Sequence, residues 1–345
     1  MALATFDFEK PIIDLEQEIE ELQERKSEPG VTNKIKSLEK KLQKTKEEVY
    51  SGLTPWQRVQ LARHMARPHS LDYIKNMIED WTEVHGDRGY ADDAAVITGF
   101  GRFNDQPVAV IGQQKGKDTK ENLARNFGMM HPEGYRKAMR VMRLAEKFNL
   151  PVIILIDTPG AYPGIGAEER GQAEAIASNI RDMFTLTVPV VVLIIGEGAS
   201  GGALGIGIGD VVLMLENAWY CVISPEGCAS ILWRDRAMAP RSAEALKLTA
   251  PDLKKLNVID EIIPEPLGGA HQEPETAYRN VKKVIQKHLE SLGNLKPDEI
   301  IKKRADKYRK MGVFKEKTAK SSSRTRKKSS SKSKSNNSTG NKKNK

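Results

Sequence analysis

The sequence is poor in cysteine and in long apolar runs, and each shortage excludes a class of protein. The 345 residues include two cysteines, Cys221 and Cys228, whose spacing forms neither a CxxC pair nor a zinc-binding pattern. The longest apolar run, residues 188–195, contains a proline and is too short to span a membrane. Residues 1–10 lack the basic and apolar regions of a secretory signal. We therefore expect no disulfide framework, metal site or membrane span, and we expect a reducing, cytoplasmic compartment.

The net charge of +9 comes entirely from the carboxyl-terminal segment. Residues 315–345 carry 12 Lys and Arg and one acid, a net of +11, which leaves −2 for the rest. A Lys/Ser-rich segment buries too little apolar surface to order itself, and we expect a disordered tail without a dedicated role. A second hypothesis is a protein that binds nucleic acid through this tail by counterion release. The near-neutral remainder lacks the basic and aromatic stripe of such proteins.

Three further segments precede the tail. In residues 1–70, apolar residues at helical spacing stop at residues 27–30 and then resume, which predicts a helical hairpin on the surface. In residues 71–293, strand patterns alternate with helical patterns, which predicts a parallel sheet with right-handed crossovers. Residues 294–314 are assigned to a C-terminal helix. The fold class predicted is therefore α/β.

Several elements of the α/β segment are predicted individually. Residues 94–103 and 106–113 have the pattern of a strand pair. The apolar runs at residues 151–156 and 188–195 are typical of strands covered on both faces. Residues 242–257 are predicted as one continuous helix that leads into a further strand.

A glycine-rich turn, residues 196–202, follows the second buried strand and opens a helix. It matches the G-x-G-x-x-G fingerprint of dinucleotide-binding proteins, with Glu216 twenty residues after the first glycine. The next strand begins at Val211, however, and a Rossmann crossover needs a longer helix than this spacing allows. Alternatively, Ser200 is a peptidase nucleophile, but no histidine close in sequence supplies the base.

A third interpretation makes the backbone of this turn the catalytic group. Adjacent glycines let the chain approach a ligand, and Gly201 and Gly202 would present unpaired N–H groups at the start of a helix. Such donors stabilise an oxyanion, and one of them contributes ~3 kcal/mol to a transition state. A companion turn, residues 157–166, follows the preceding strand. Turns at consecutive parallel strand ends face one crevice, where ligands of open α/β sheets bind.

The motifs in and around both turns resemble those of the alpha subunits of bacterial acetyl-CoA carboxylase carboxyltransferases. This family is biotin-dependent and belongs to the crotonase-like superfamily. The resemblance runs from about Phe6 to about Gly312, and only the tail lies outside it. The matching segments are residues 115–117, 125–128, 132–137, 157–164, 166–171, 196–204, 224–233 and 262–271.

The resemblance implies a crotonase-type spiral of ββα units with the helical hairpin and the tail appended. It implies transfer of a carboxyl group from carboxybiotin, held on biotin carboxyl carrier protein, to acetyl-CoA. The product is malonyl-CoA, and the reaction is the first committed step of fatty acid synthesis. Gly201 and Gly202 map onto the paired glycines that form the oxyanion hole for biotin. A side chain at Gly202 is expected to block that site without disturbing assembly.

The resemblance also implies partners. The beta subunit of the family carries a four-cysteine zinc ribbon and a second oxyanion hole, so zinc is expected only on that partner. An α₂β₂ heterotetramer is implied, and biotin carboxylase belongs to the wider complex. ATP use is assigned to that complex, because residues 112–118 lack the spacing of a P-loop. The compartment is then a bacterial cytoplasm or, alternatively, a plastid stroma.

Further substrate contacts are expected at the same crevice. Lys115, Lys117 and Arg125 are candidates to hold the phosphates of CoA, and the alternative is a solvated basic stretch. The residues expected to line the crevice are Gly160, Ala161, Tyr162, Pro163, Gly164, Gly198, Ser200 and Ala203.

Overall fold

The two apolar runs that follow Pro151 and Pro189 form the central strands of a sheet. In the structure, a computed structural model that describes residues 6–312, these strands are β4 (Val152–Thr158) and β5 (Val190–Ala199). Every residue of both strands is buried, as expected of parallel strands covered on both faces. The prediction of two buried strands is confirmed.

The sheet has eight strands within the described residues. Its hydrogen-bonded order is β1-β2-β3-β4-β5-β6-β8, and β7 pairs with the end of β5. The pairs β1/β2 and β2/β3 are antiparallel, and the other pairs are parallel. The carboxyl ends of β3, β4 and β5 therefore meet at one edge of the sheet. The remaining strands are β1 (Glu79–Glu83), β2 (Val96–Phe103), β3 (Gln106–Gln113), β6 (Val211–Leu215), β7 (Trp219–Cys221) and β8 (Glu261–Ile263).

Helices connect and flank these strands. The apolar side of each packs on the sheet or on a neighbouring helix, and short 3-10 turns separate some of them. The helices are α1 (Lys10–Glu24), α2 (Val31–Ser51), α3 (Pro55–Ala62), α4 (Ser70–Met77), α5 (Thr119–Ala124), α6 (Pro132–Lys147), α7 (Ile165–Glu169), α8 (Gln172–Met183), α9 (Ser200–Leu204), α10 (Pro225–Trp233), α11 (Ala239–Leu246), α12 (Ala250–Lys255), α13 (Pro274–Gly293) and α14 (Pro297–Arg309).

The first two helices form the predicted hairpin. Two ion pairs, Glu18–Lys34 and Glu16–Lys46, join them at 3.0 and 2.7 Å on a largely exposed side. Such pairs contribute little to stability, so burial of the apolar stripe holds the hairpin in place. The buried apolar residues of the stripe are Ile12, Leu15, Ile19 and Ile35.

The prediction of one helix over residues 242–257 is wrong. Lys247 adopts a left-handed conformation with φ 53° and ends α11. Thr249 then caps α12 by accepting a hydrogen bond from the Asp252 N–H. A capping threonine followed by a proline in the first turn favours the start of a new helix. Here this local preference overrides the apolar spacing, which continues through the break.

The C-terminal helix α14 is fastened to the amino-terminal edge of the sheet by one buried side chain. Arg304 is fully buried and binds both carboxylate oxygens of Asp210, at 3.0 and 2.7 Å. Its remaining N–H groups donate to the carbonyls of Met183, Leu186 and Val188. This pattern satisfies all the donors of a buried guanidinium, so α14 is an integral part of the fold.

Residues 6–311 belong to one compact unit. The hairpin, the α/β segment and the C-terminal helix all fall within this unit, so the boundaries after residues 70 and 293 stay predictions. The disordered tail predicted at residues 315–345 lies outside the described residues. No helix among residues 6–312 is long and apolar enough to cross a membrane.

Candidate active site

The two glycine turns meet at the carboxyl ends of β4 and β5. A Cβ built on Gly202 would overlap the carbonyl group of Gly160 and would stand 2.7 Å from the backbone nitrogen of Ala161. Only glycine permits this approach of one backbone to another. The expectation that both turns face one crevice is confirmed.

The start of α9 presents free backbone donors at this junction. Ser200 adopts a left-handed conformation with φ 55°, and the helix that follows has five residues, so it is less than half the length that a Rossmann crossover requires. The N–H groups of Ala161, Gly201 and Gly202 meet no acceptor among residues 6–312. Gly202 is buried and Gly201 is half-buried. Unpaired N–H groups at a helix start favour an anion.

Asp157, the penultimate residue of β4, joins three neighbouring elements. Its Oδ1 binds the Lys115 ammonium at 2.7 Å and accepts the Glu197 N–H at 3.0 Å, while Oδ2 lies 3.2 Å from Nδ1 of His69. Burial alone would raise the pKa of Asp157, but the Lys115 charge and the His69 contact hold it well below its ordinary value. The carboxylate is therefore ionised and ties together the ends of β3, β4 and β5.

The ion pairs continue from Lys115 toward the surface. Lys115 also binds Oε1 of Glu197 at 2.8 Å, and Oε2 of Glu197 binds Arg63 at 2.6 Å. Arg63 in turn binds Glu226 at 2.5 Å. Burial would lower the pKa of Lys115, but the two carboxylates beside it raise it above its ordinary value. The cluster therefore holds its charges in nearly balanced pairs.

A cavity of about 740 Å³ adjoins this ion cluster. Its lining includes Arg63, Lys115, Glu197 and Glu226 of the cluster and also Met65, Phe127 and Arg236. Phe127 is 43% exposed and sits in a left-handed conformation with φ 56°. Pro159 of the first glycine turn also lines the cavity, which places it beside the junction of the two turns.

A second cavity, of about 430 Å³, is lined mainly by apolar side chains. Gly201 and Ser200 line it, so the half-buried backbone of Gly201 borders an apolar space. Tyr308 of α14 donates to the carbonyl of Gly207 at 3.3 Å and helps to close one side. The other side chains around the cavity are Leu204, Val212, Tyr220, Cys221, Val222, Leu246, Leu253, Val258 and Met311.

The predicted residues of the first turn lie at the rim of the junction. The ring of Tyr162 stacks on His131, with their centroids 4.1 Å apart, and Gly164 packs against the same ring. The Tyr162 N–H donates to the carbonyl of Met130 at 3.1 Å. Pro163 is exposed next to them. These contacts give the turn a fixed shape.

The predicted residues of the second turn have separate surroundings. Ala203 is a fully buried residue of α9, and Gly198 lies against the ring of Tyr220. Ser200 is exposed. The two histidines that contact the turns, His69 and His131, are engaged with Asp157 and Tyr162 rather than with Ser200. This arrangement does not support a peptidase dyad.

The three residues proposed to hold CoA phosphates are paired within the chain, Lys117 with Asp72 at 2.6 Å. Lys115 is bound between the carboxylates of Asp157 and Glu197, at 2.7 and 2.8 Å, and its role as a phosphate ligand stays a prediction. Arg125 binds Glu121 at 2.9 Å and the carbonyl of Ala94 at 3.0 Å. The pair of Arg125 with Glu121 is partly buried, so a phosphate would have to replace a hydrogen-bonded ion pair there.

Several residues of this site were missed from the sequence. They are Arg63, His69, Gln113, Glu197 and Glu226. Gln113 ends one predicted strand and Glu197 follows another by two residues, so their position at the carboxyl edge of the sheet was an available signal. Among the described residues, no group of three or more His, Cys, Asp and Glu side chains is arranged to hold a metal ion.

The sequence matches a family model described as acetyl co-enzyme A carboxylase carboxyltransferase-like over residues 5–312. The chain is similar to the acetyl-coenzyme A carboxylase carboxyl transferase subunit alpha of Syntrophotalea carbinolica, with 55% identity over 312 residues. That match covers 90% of this chain and 98% of the relative. The subunit alpha from Thermus thermophilus is 54% identical, and 90% and 99% of the two chains are covered.

Solved structures with low sequence identity have the same fold. Transcarboxylase 12S matches with a TM-score of 0.51 and 21% identity, over 63% of this chain and 41% of the other. A Pseudomonas malonate decarboxylase heterodimer matches with a TM-score of 0.52 and 16% identity, over 63% and 89%. The predicted crotonase-like α/β fold is therefore confirmed. The chain belongs to the acetyl-coenzyme A carboxylase carboxyltransferase family, a family of transferases, and its relatives in that family are alpha subunits.

Proposed function

We propose that this chain is the alpha half of a two-subunit carboxyltransferase and that its glycine junction is the oxyanion hole for biotin. The reaction moves a carboxyl group from carboxybiotin, held on a carrier protein, to acetyl-CoA and forms malonyl-CoA. Biotin supplies the carboxyl carrier chemistry. The chain itself supplies Gly201 and Gly202, whose N–H groups hold the negative charge that develops on the biotin oxygen.

One observation carries this proposal: backbone N–H groups without an acceptor lie in both turns, at the place where Gly202 touches Gly160. The N–H groups of Ala161, Gly201 and Gly202 meet no acceptor among residues 6–312. A donor of this kind contributes ~3 kcal/mol when it is aimed at charge that forms only in the transition state. Because the donors belong to packed backbone, they need no reorganisation during the reaction.

The surrounding charges support an anion at this position. Asp157 and Glu197 alone would repel it, but Lys115 bridges them and Arg63 binds Glu197. With these carboxylates neutralised, the field at the junction is set mainly by the N–H dipoles of α9. We assign Lys115 to this neutralising role.

The apolar cavity beside Gly201 fits the uncharged ring system of biotin. A ligand that enters it would place its polar edge near the Gly201 N–H and its apolar edge against Val222 and Leu204. We propose substrate contacts for the rest of the junction as well. These are Gly160, Ala161, Tyr162, Pro163, Gly164, Gly198, Ser200 and Ala203, and Arg125 remains the candidate for a CoA phosphate.

The relatives are named as alpha subunits, which supports a partner subunit. We propose that the partner is a beta subunit that carries a zinc ribbon and the second oxyanion hole, in an α₂β₂ assembly. Biotin carboxyl carrier protein and biotin carboxylase complete the complex, and biotin carboxylase uses ATP. The relatives come from bacteria, which supports a bacterial cytoplasm over a plastid stroma.

The reverse reaction tests this function. The full-length chain is purified as a complex with its zinc-ribbon partner, and malonyl-CoA-dependent carboxylation of free biotin is measured. We expect turnover by the complex and none by this chain alone. Absence of turnover from a verified, assembled complex would contradict the function.

A variant at Gly201 tests the oxyanion hole. Gly201→Pro removes one N–H in the first turn of α9, and Gly201→Ala keeps that N–H as the matched control. We expect kcat to fall about 100- to 1000-fold in the proline variant, as for the loss of one oxyanion donor. Wild-type turnover in an assembled Gly201→Pro complex would rule out Gly201 as a donor.

A further inference from the structure

One buried amide connects the two glycine turns. Gln113, the last residue of β3, is fully buried. Its Nε2 donates to the carbonyl of Gly202 at 2.7 Å, and its Oε1 accepts the Asp157 N–H at 3.2 Å. Its own carbonyl accepts the Ser70 hydroxyl at 2.7 Å, which anchors the residue from behind. A single side chain therefore reaches the backbone on both sides of the junction.

The helix that carries the donors needs this support. α9 has five residues, and within it a hydrogen bond from Leu204 to the carbonyl of Ser200 is the only i→i−4 bond possible. So short a helix has little internal stiffness, and its orientation must come from contacts with other elements. The contact of Gly202 with Gly160 sets how closely the turns approach. The hydrogen bond from Gln113 fixes the Gly202 carbonyl, and so the peptide unit that directly follows the Gly202 N–H.

The chemistry of the two contacts determines the residue type. A carbonyl oxygen requires a donor and an N–H requires an acceptor, and an uncharged amide carries both on one planar group. The opposite flip of the amide would point Nε2 at the Asp157 N–H and Oε1 at the Gly202 carbonyl. A donor would then face the Asp157 donor, and an acceptor would face the Gly202 acceptor. The orientation of Gln113 is therefore fixed by its partners.

We propose that Gln113 is the positioning residue of the oxyanion hole, which holds the Gly201 and Gly202 donors against the turn of Gly160. This assignment rests on the proposed function. Gln113 touches no reacting atom. It acts through the Gly202 peptide, so its loss should affect the transition state more than the binding of substrate.

Three variants of the assembled complex test the assignment. Gln113→Met keeps the length of the side chain and removes both hydrogen bonds. The matched control is Gln114→Met, because Gln114 is also buried and its amide binds the Leu71 N–H and the Lys115 carbonyl, away from the glycine turns. Gln113→Glu keeps the shape and makes the donor dependent on pH. Each complex is assayed for kcat, for KM of malonyl-CoA and for melting temperature.

We expect Gln113→Met to lower kcat about 10- to 100-fold, the loss typical of removing an orienting partner. The KM of Gln113→Met should stay within about twofold of the wild-type value. Gln114→Met should keep the wild-type kcat, even if its melting temperature falls by as much as that of Gln113→Met. A Gln113→Met complex whose kcat matches that of Gln114→Met would overturn the proposal.

Gln113→Glu makes the pH dependence of kcat a test, because a purely structural role of Gln113 would not change that dependence. This variant also tests the proposal if Gln113→Met fails to fold. The neutral acid donates to Gly202 and accepts from Asp157, whereas the ionised form can only accept. Burial raises the pKa of such an acid. The kcat of this variant should therefore approach that of the wild type at low pH and fall relative to it as the pH rises. A constant ratio to the wild type across the pH range would overturn the proposal.

The Gly201→Pro variant separates the two hypotheses. If that variant turns over like the wild type, Gly201 is ruled out as a donor of the oxyanion hole. If it is inactive while both Gln113 variants behave like the wild type, only the positioning role of Gln113 is refuted.

Discussion

A Cβ atom on Gly202 would overlap the carbonyl group of Gly160, so the backbones of the two glycine turns are in direct contact. Gly160 itself has φ 154°, which an L side chain rarely adopts. The junction is therefore fixed by packing as well as by its proposed chemistry. From the sequence, a side chain at Gly202 was expected to block the site and leave assembly intact. The contact with Gly160 leads to a different expectation.

We predict that Gly202→Ala lowers both stability and turnover. The added methyl has no free space, and overpacking of this kind costs about 1–3 kcal/mol. Gly201→Ala is the matched control, because its Cβ would stand 3.3 Å from the flexible end of Ile176. The melting temperature and the turnover of the assembled complex are measured for both. A Gly202→Ala complex that melts like the wild type would show that the junction is looser than the structure implies.

Lys115 gives a second prediction, which separates a structural role from substrate binding. Lys115→Met would leave the carboxylates of Asp157 and Glu197 without their shared cation. Loss of one member of a buried ion pair costs about 3–5 kcal/mol. We therefore expect the free energy of unfolding to fall by about that amount, and we expect the KM for malonyl-CoA to stay within about twofold.

Lys117→Met is the control for this prediction. Lys117 is mostly exposed and binds Asp72 at the surface, so its loss should leave stability nearly unchanged. A large rise in KM for the Lys115 variant, with stability unchanged, would instead support the role in CoA binding expected from the sequence. Urea unfolding and steady-state kinetics on the same preparations provide both quantities.

The sequence was sufficient to predict the glycine turns, because each is a local pattern of strand, turn and helix. The ties between them are not local: 89 residues separate Gln113 from Gly202, and 88 separate His69 from Asp157. No periodicity within a window of 11–18 residues contains such contacts. They could be found only once the parallel order of β3, β4 and β5 had brought the strand ends together.

The errors in the fold prediction have physical causes as well. β1 (Glu79–Glu83) was missed because it is a polar edge strand with half-exposed side chains and no apolar alternation. The break between α11 and α12 was missed because the apolar spacing continues through it. A capping threonine and a left-handed lysine decide that break, and both are local signals.

A buried ion pair gives a third prediction. Arg67 and Glu265 are almost fully buried and bind each other at 2.8 and 2.6 Å. We expect Arg67→Met to lower the free energy of unfolding by about 3–5 kcal/mol, because Glu265 would be left as a buried charge without its partner. Arg25→Met, at the exposed Arg25–Glu28 pair, should leave the melting temperature unchanged. Equal effects of the two variants would contradict this.

The same pair makes stability depend on pH. Burial would raise the pKa of Glu265, but Arg67 and the N–H groups of Asn217 and Ala270 hold it below its ordinary value of 4.5. The folded state therefore gains stability from the ionised form above that value, and loses it as the pH falls through the lowered pKa. Glu265→Gln should remove this loss below pH 4.5, as measured by urea unfolding at a series of pH values.

His271 gives a fourth prediction, in a separate pH interval. Its ring stacks on His64 at a centroid distance of 3.9 Å, and its Nδ1 is buried without a hydrogen-bond partner among the described residues. Burial and the neighbouring His64 lower the pKa of His271 from 6.5 to about 4. The unfolded chain therefore binds a proton at this ring before the folded protein does. Stability should fall as the pH drops from 6.5 toward 4, and this loss is complete below that interval.

His271→Phe tests this interval, because phenylalanine keeps a ring against His64 and cannot take up a proton. We expect the slope of unfolding free energy against pH to flatten between pH 6.5 and 4 in this variant. An unaltered slope in His271→Phe would mean that another group, and not the stacked histidine, takes up the proton when the chain unfolds.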